Sequence, residues 1–155
     1  MSQLHRDKIL AVLTESGADF KHVVHEAVTT SEHASAIRGV PLSSGAKAIV
    51  LENTKDASEH VLVVIPADKR IDFKKLKEIT GKKFEFAKDP TAVVDCVPGS
   101  VPPFGSVLGL LTYADEGLAE MLNFNIGLLT ESVGLAKGEY LRVENPKIIS
   151  VVKGE

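Results

Sequence analysis

Eight consecutive residues, Pro98-Gly99-Ser100-Val101-Pro102-Pro103-Phe104-Gly105, constrain this chain more than any other stretch. Three prolines and two glycines in so short a run cannot sit inside a regular helix or a central strand. Glycine tolerates positive φ and lets another molecule approach the backbone closely. Proline removes an N–H and stiffens φ, so the loop is expected to be rigid, with few but fixed donors. N–H groups at Gly99, Ser100 and Val101 can then cradle a carbonyl or an oxyanion. A tight connection between two strands accounts for the same composition. A second, distant feature bears on the choice: Gly45-Ala46-Lys47-Ala48-Ile49-Val50-Leu51.

At 155 residues, 44% apolar and 25% charged, the chain reads as a single domain spanning 1–155 with a real core. No apolar run approaches the ~20 residues of a membrane helix. Met1 to Leu13 carries Arg6, Asp7 and Lys8 and has no apolar h-region, so no signal peptide is expected and the cytoplasm is the expected location. One cysteine, Cys96, excludes an internal disulfide and a cysteine-based zinc site. Net charge is −3, yet Asp68 to Lys88 holds eight Lys/Arg against four Asp/Glu. That excess can contact phosphates, although on this count alone a solvated helix face explains it more simply.

Periodicity predicts a helix over Gln3–Ser16 ended by Gly17, then a strand over Phe20–Val24. Thr29 with Glu32 matches a capping box and predicts a helix to about Arg38. Ala46–Glu52 and His60–Ile65 read as a hairpin joined by a polar turn, Asn53–Ser58. Asp72 caps a predicted helix over Phe73–Thr80, which Gly81 stops. Lys83–Ala87 reads as a strand, and Asp89-Pro90 opens a short helix over Thr91–Val94. Ser106–Thr112 reads as a strand, Asp115–Leu118 as a turn, and Leu118–Met121 as a short strand or helical turn. Ile126–Thr130, Ser132–Ala136 and Lys147–Val152 are further apolar segments, with a short helical turn over Gly138–Leu141. Strands outnumber helices and mostly lack crossover helices between them. The expected fold is α+β, one mixed, largely antiparallel, barrel-like sheet with flanking helices.

Most familiar sites fail on spacing. Gly39 to Ala48 is no phosphate-binding P-loop, because Ala46 intervenes before Lys47 and no Ser or Thr follows the lysine. His22 and His25 stand three apart in a predicted strand and so face opposite sides, which argues against a metal site. Cys96 has no evident base partner, and a buried inert thiol fits it better than a nucleophile. Ser100 and Ser106 are not in a nucleophile elbow. Lys47 stands apart. Alternation puts it on one face with Ile49 and Leu51, where a lysine either snorkels or serves a function.

The whole chain resembles the YbaK/ProXp family of aminoacyl-tRNA deacylases, which also occurs as the editing insertion of bacterial prolyl-tRNA synthetases. The resemblance rests on His25-x-x-Val28-x-Thr30-Ser31-Glu32, Gly45-Ala46-Lys47-Ala48-Ile49-Val50, Ile71-Asp72-Phe73-Lys74-Lys75-Leu76 with Gly81, Gly99-Ser100-Val101-Pro102-Pro103-Phe104-Gly105, Asp115 and Asn123-Phe124-Asn125. It implies hydrolysis of the ester between a wrongly attached small amino acid and the 3′-terminal adenosine of a tRNA, without metal or cofactor. Lys47, Gly99 and Ser100 would carry the chemistry, with help from the terminal ribose hydroxyl or a substrate thiol. His25, Thr30, Val101, Pro102, Pro103, Phe104, Gly105, Asp115 and Asn125 would line the substrate site. Arg70, Lys74, Lys75 and Lys77 would meet tRNA phosphates. The implied partner is tRNA, with an aminoacyl-tRNA synthetase left open as a second; no membrane or DNA is implied. Ala48 replaces the Asn of the alanine-specific branch and the Thr of the cysteine-specific branch, and His25 stands where the latter often has Tyr. The amino acid therefore stays open, tRNA-Pro being one carrier. A non-catalytic aminoacyl-tRNA- or synthetase-binding domain of the same fold is the alternative. An unrelated esterase using Cys96 or Ser100 is a third.

Overall fold

The computed structural model describes residues 2–27, 36, 37 and 39–154. Helix α1 (Ser2–Glu15) buries Ile9 and Leu13 completely. It turns into strand β1 (Phe20–Val24) as Ala18 N donates to Leu13 O at 3.0 Å. Of the residues assigned from sequence to the Thr29–Arg38 helix, only 36 and 37 are described; Thr30 lies outside the described residues.

Strands β2 (Ala46–Asn53) and β3 (Asp56–Pro66) form the expected antiparallel hairpin, pairing from Ala46↔Pro66 to Glu52↔His60. The turn is tighter than the polar composition suggested. Asn53 Oδ1 accepts from Lys55 N at 2.9 Å, so the chain reverses within Thr54-Lys55. Helix α2 (Phe73–Thr80) follows, with Asp72 Oδ1 accepting from Lys74 N (3.1 Å) and Lys75 N (3.2 Å). Strand β4 (Phe84–Phe86) and helix α3 (Pro90–Val94) come next, the latter capped by Asp89.

The segment 106–112 corrects the sequence expectation. It is a short helix α4 (Gly105–Leu108) before strand β5 (Leu111–Asp115), not one strand. A Cβ on Gly105 would fall on Thr112 Oγ1 and the Leu110 carbonyl oxygen, so only glycine lets the chain fold back so closely. Strand β6 (Met121–Asn125) also escaped the periodicity reading, which ended a shorter element at Met121. Strand β7 (Glu131–Ala136), helix α5 (Lys137–Glu144) and strand β8 (Lys147–Ile149) complete the order.

The strands form two sheets, β1-β7-β6 and β4-β2-β3-β5-β8. The first is antiparallel, and in the second β5 runs parallel to β3 and β8. The α+β expectation holds, but the barrel does not close. Among the described residues only an isolated parallel bridge, Gly45↔Asn123, joins the sheets, and no continuous ladder runs around them. Alternation on β2 and β3 feeds two cores. Val50, Leu62 and Val64 pack with α1 and the small sheet through Leu122, Phe124, Val133 and Leu135. Leu51, Val61, Val63 and Ile65 pack beneath α2 against Leu76 and Val151. No helix among the described residues is long and apolar enough to cross a membrane.

Candidate active site

The proline-glycine loop is held from below. Tyr140 Oη donates to Pro103 O at 2.6 Å, and burial pushes the Tyr140 hydroxyl pKa upward. Phe104 stacks edge-to-face on Phe124 and Tyr140, each at 5.5 Å between ring centroids. Pro102, Pro103, Phe104 and Gly105 are buried supports, whereas Val101 is half-buried and Gly99 exposed. Gly99 has φ 87°, a left-handed conformation that favours glycine. The structure corrects the expectation of three free donors. Ser100 N and Ser100 Oγ both donate to Val97 O, at 3.1 and 2.8 Å. The N–H groups of Gly99 and Val101 make no hydrogen bond to another described residue.

The loop abuts the end of the small sheet. Gly127 N donates to Ser100 O at 2.9 Å, immediately past β6. There Val23, Ser132 and Asn125 form one cross-strand row on the face turned away from the core. His25 joins this row: Nε2 lies 2.6 Å from Ser132 Oγ and Nδ1 2.7 Å from Glu26 O. A carbonyl only accepts, so Nδ1 carries the proton and, in the neutral ring, Nε2 accepts from the serine. Asn125 Nδ2 donates to Leu128 O at 2.9 Å. The structure thus sets His25 and Asn125 beside Ser132, with Ser100 O of the loop held by Gly127 N, two residues past Asn125. Sequence reasoning passed over Ser132. Its signal was the alternation of Ser132 and Gly134 with the apolar Val133 and Leu135. His22, on the opposite face as its spacing predicted, instead contacts Glu131 Oε1 at 2.7 Å, with Arg6 Nη1 donating to Glu131 Oε2 at 2.8 Å.

Lys47 approaches from the large sheet. Gly45 pairs with Asn123, so Lys47 and Asn125, two residues further along parallel strands, project to the same side. Lys47 is half-buried, on the face of Ile49 and Leu51 as expected, and Nζ donates to Lys69 O at 3.4 Å. Arg70, Lys74 and Lys77 are exposed just beyond. Lys75 is tied inward, Nζ donating to Val152 O at 3.1 Å. Lys82 is paired with Glu59 at 2.6 Å, which holds that carboxyl below its ordinary range. Asp115 is a support: Oδ1 accepts from Val151 N (2.9 Å) and Oδ2 from Gly117 N (2.8 Å).

The nucleophile candidates fare poorly. Cys96 is buried, Sγ donates to Val94 O at 3.4 Å, and burial pushes the thiol up to about 11. The Ser100 hydroxyl is fully buried and committed to Val97 O. Among the described residues no three His, Cys, Asp or Glu side chains converge as a metal-ligand group.

Comparison with known proteins gives consistent results. The profile of the aminoacyl-tRNA editing domain family matches residues 25–140. The multifunctional Ser/Thr-tRNA deacylase ProXp-y of Escherichia coli (strain K12) is 36% identical over 150 residues, covering 92% of this chain and 90% of its own. Among solved structures, hypothetical protein APE2540 superposes with a TM-score of 0.84 at 20% identity, covering 94% of this chain and 99% of its own. A protein whose suggested role is trans-editing for prolyl tRNA synthetase superposes with a TM-score of 0.81 at 20% identity, covering 97% and 98%.

Proposed function

Because the chain belongs to the aminoacyl-tRNA editing domain family, we propose that it is a hydrolase that deacylates mischarged tRNA carrying serine, threonine or a similarly small amino acid. The similarity to a Ser/Thr-tRNA deacylase over 92% of the chain carries this reading. The geometry supports it. Gly99 and Val101 offer fixed backbone donors where an ester carbonyl gathers charge, and Lys47 brings a cation to the same side of the sheet as Asn125. Water adds to the carbonyl carbon, the C–O bond to the ribose breaks, and the ribose oxygen takes up a proton. The amino acid leaves as its carboxylate. No protein nucleophile is required. Editing of this kind supplies discrimination that a synthetase pocket cannot, since one methylene is worth only ~1–3 kcal/mol.

The partner is aminoacyl-tRNA and the place of action the cytoplasm. A prolyl-tRNA synthetase, suggested by the description of one structural relative, enters as an addition to the assay. The test is deacylation of Ala-, Cys-, Ser- and Thr-tRNA, including tRNA-Pro, by wild type and Lys47→Ala. Hydrolysis of one or two species, lost in the variant, is expected. Failure on every species with tRNA binding retained would replace this reading with a binding domain.

A further inference from the structure

The chain that follows the loop donors is held more tightly than a connection between elements requires. Tyr140 and Glu144 stand four residues apart on α5, so they share one face of the helix. Tyr140 Oη donates to Pro103 O at 2.6 Å. Glu144 Oε1 accepts from Ser106 Oγ at 2.5 Å, and Oε2 accepts from Ser106 N at 3.2 Å and Thr112 Oγ1 at 2.9 Å. We propose that Tyr140 and Glu144 are positioning residues for deacylation: acting together from α5, they fix the direction of the Val101 N–H. The proposal rests on the deacylase reading and deepens it, assigning part of the rate to groups that act through the loop backbone.

Tyr140 carries the inference. It is fully buried, with its ring edge-to-face on Phe104 at 5.5 Å. A phenylalanine would fill that place without taking a hydroxyl out of water. What the hydroxyl adds is a bond to the Pro103 carbonyl. The orientation of that carbonyl is carried upstream. Pro102 and Pro103 each lock φ near about −65°, and Val101 and Pro102 each precede a proline, which restricts their ψ to extended values. The backbone from Val101 to Pro103 therefore behaves as one stiff unit. Turning the Pro103 carbonyl turns the Val101 N–H with it.

Glu144 supplies the frame of reference. Thr112 lies in β5 and pairs with Leu62 of β3, so the carboxylate ties the chain after Phe104 to the large sheet. Phe104 itself stacks on Phe124 of β6, in the small sheet. Lys47 stands on the large sheet and Asn125 on the small one. A backbone donor that serves the same ester as both must be registered to both sheets. The two α5 side chains act on the segment where that registration is made. A rate that depends on such alignment falls by about 10²-fold for a misplacement of about 1 Å. A purely stabilising role has another signature: losing the hydrogen bond lowers Tm and leaves kcat of the folded enzyme unchanged.

The test uses the full chain with Tyr140→Phe, Glu144→Ala and Glu144→Gln. Deacylation of the mischarged tRNA that wild type hydrolyses fastest gives kcat and KM, and amide NMR relaxation gives the order parameter of Val101. Tyr140→Phe and Glu144→Ala are each expected to lower kcat at least about tenfold with KM within about twofold, the mark of an interaction realised in the transition state. The Val101 order parameter should fall from about 0.85 toward about 0.6. Glu144→Gln keeps the shape and an acceptor oxygen, and should return kcat to within about threefold of wild type. Unchanged kcat in either of the first two variants, a loss confined to KM, an unmoved Val101 amide or no rescue by Glu144→Gln would overturn the proposal and leave the deacylase reading standing on the wild-type activity. Should Tyr140→Phe fail to fold, the Glu144 variants decide by the same readouts. If wild type hydrolyses no aminoacyl-tRNA, the deacylase reading falls and the Val101 amide decides alone: a loosened amide in Tyr140→Phe keeps the α5 clamp, and an unchanged one removes it.

Discussion

Lys47 is a cation at the head of an apolar strand, with Nζ 3.4 Å from a single backbone carbonyl. So long a contact adds little to stability, while the ammonium stays close to the Asn125 side of the sheet. Lys47→Ala is expected to lower kcat/KM by at least about 10²-fold, the scale of losing one preorganised oxyanion donor. Its Tm should stay within a few degrees of wild type. A deacylation assay beside a thermal melt separates these effects, and unchanged activity would remove Lys47 from the mechanism. Gly105→Ala should do the opposite. Its Cβ would overlap Thr112 Oγ1 and the Leu110 carbonyl, so it should cost about 1–3 kcal/mol in urea unfolding. Cys96 gives a pH prediction. Its thiol is pushed from an ordinary 9.0 up to about 11, so the folded state holds the proton more tightly than the unfolded chain. Stability from this group is full below about pH 9 and is lost as pH rises toward 11. At pH 8 the native thiol should resist iodoacetamide and deacylation should survive the reagent. Rapid alkylation with loss of activity would revive the thiol esterase.

At the scale of elements, what the sequence revealed depended on how local the cause was. Helix α2 was legible because everything that makes it is adjacent: Asp72 caps Lys74 and Lys75, and Gly81 stops it. The β2–β3 hairpin was legible from its unbroken apolar runs. Helix α4 was not, because its start is held from far away. Glu144 of α5 accepts from Ser106 N at 3.2 Å and from Thr112 Oγ1 at 2.9 Å. Strand β6 was missed because Asn123 and Asn125 disfavour strands, although Leu122 and Phe124 keep its period. The same asymmetry holds at the site. The proline-glycine loop and Lys47 announced themselves by composition. Ser132 and the parallel bridge that aligns Lys47 with Asn125 needed the register of two sheets. An element-level check follows from the cap: Asp72→Ala should cost about 1 kcal/mol in chemical denaturation while leaving kcat near wild type. A large loss of kcat would mean that α2 takes part in positioning the ester.

For the whole molecule, a net charge of −3 must be reconciled with a polyanionic substrate. The answer is distribution. Arg70, Lys74 and Lys77 are exposed beside the Lys47 end of β2, whereas Lys75, Lys82 and Lys88 have carbonyl or carboxylate neighbours at 3.1, 2.6 and 3.9 Å. On the proposed reading, the first three supply the field that a tRNA backbone would meet. Phosphate contacts release counterions, with about 0.7–0.9 in the slope of log K against log salt for each contact. Replacing Arg70, Lys74 and Lys77 together by alanine should flatten the salt dependence of KM for aminoacyl-tRNA by about 2 in that slope, and raise KM at low salt. Hydrolysis of a 3′-aminoacyl-adenosine, which lacks the distant phosphates, should be unchanged by the same substitutions. The two substrates together locate the effect. If both suffer equally, the basic cluster acts on the ester site; if neither changes, the tRNA body approaches from another side, and α2 is only a solvated face over the second core.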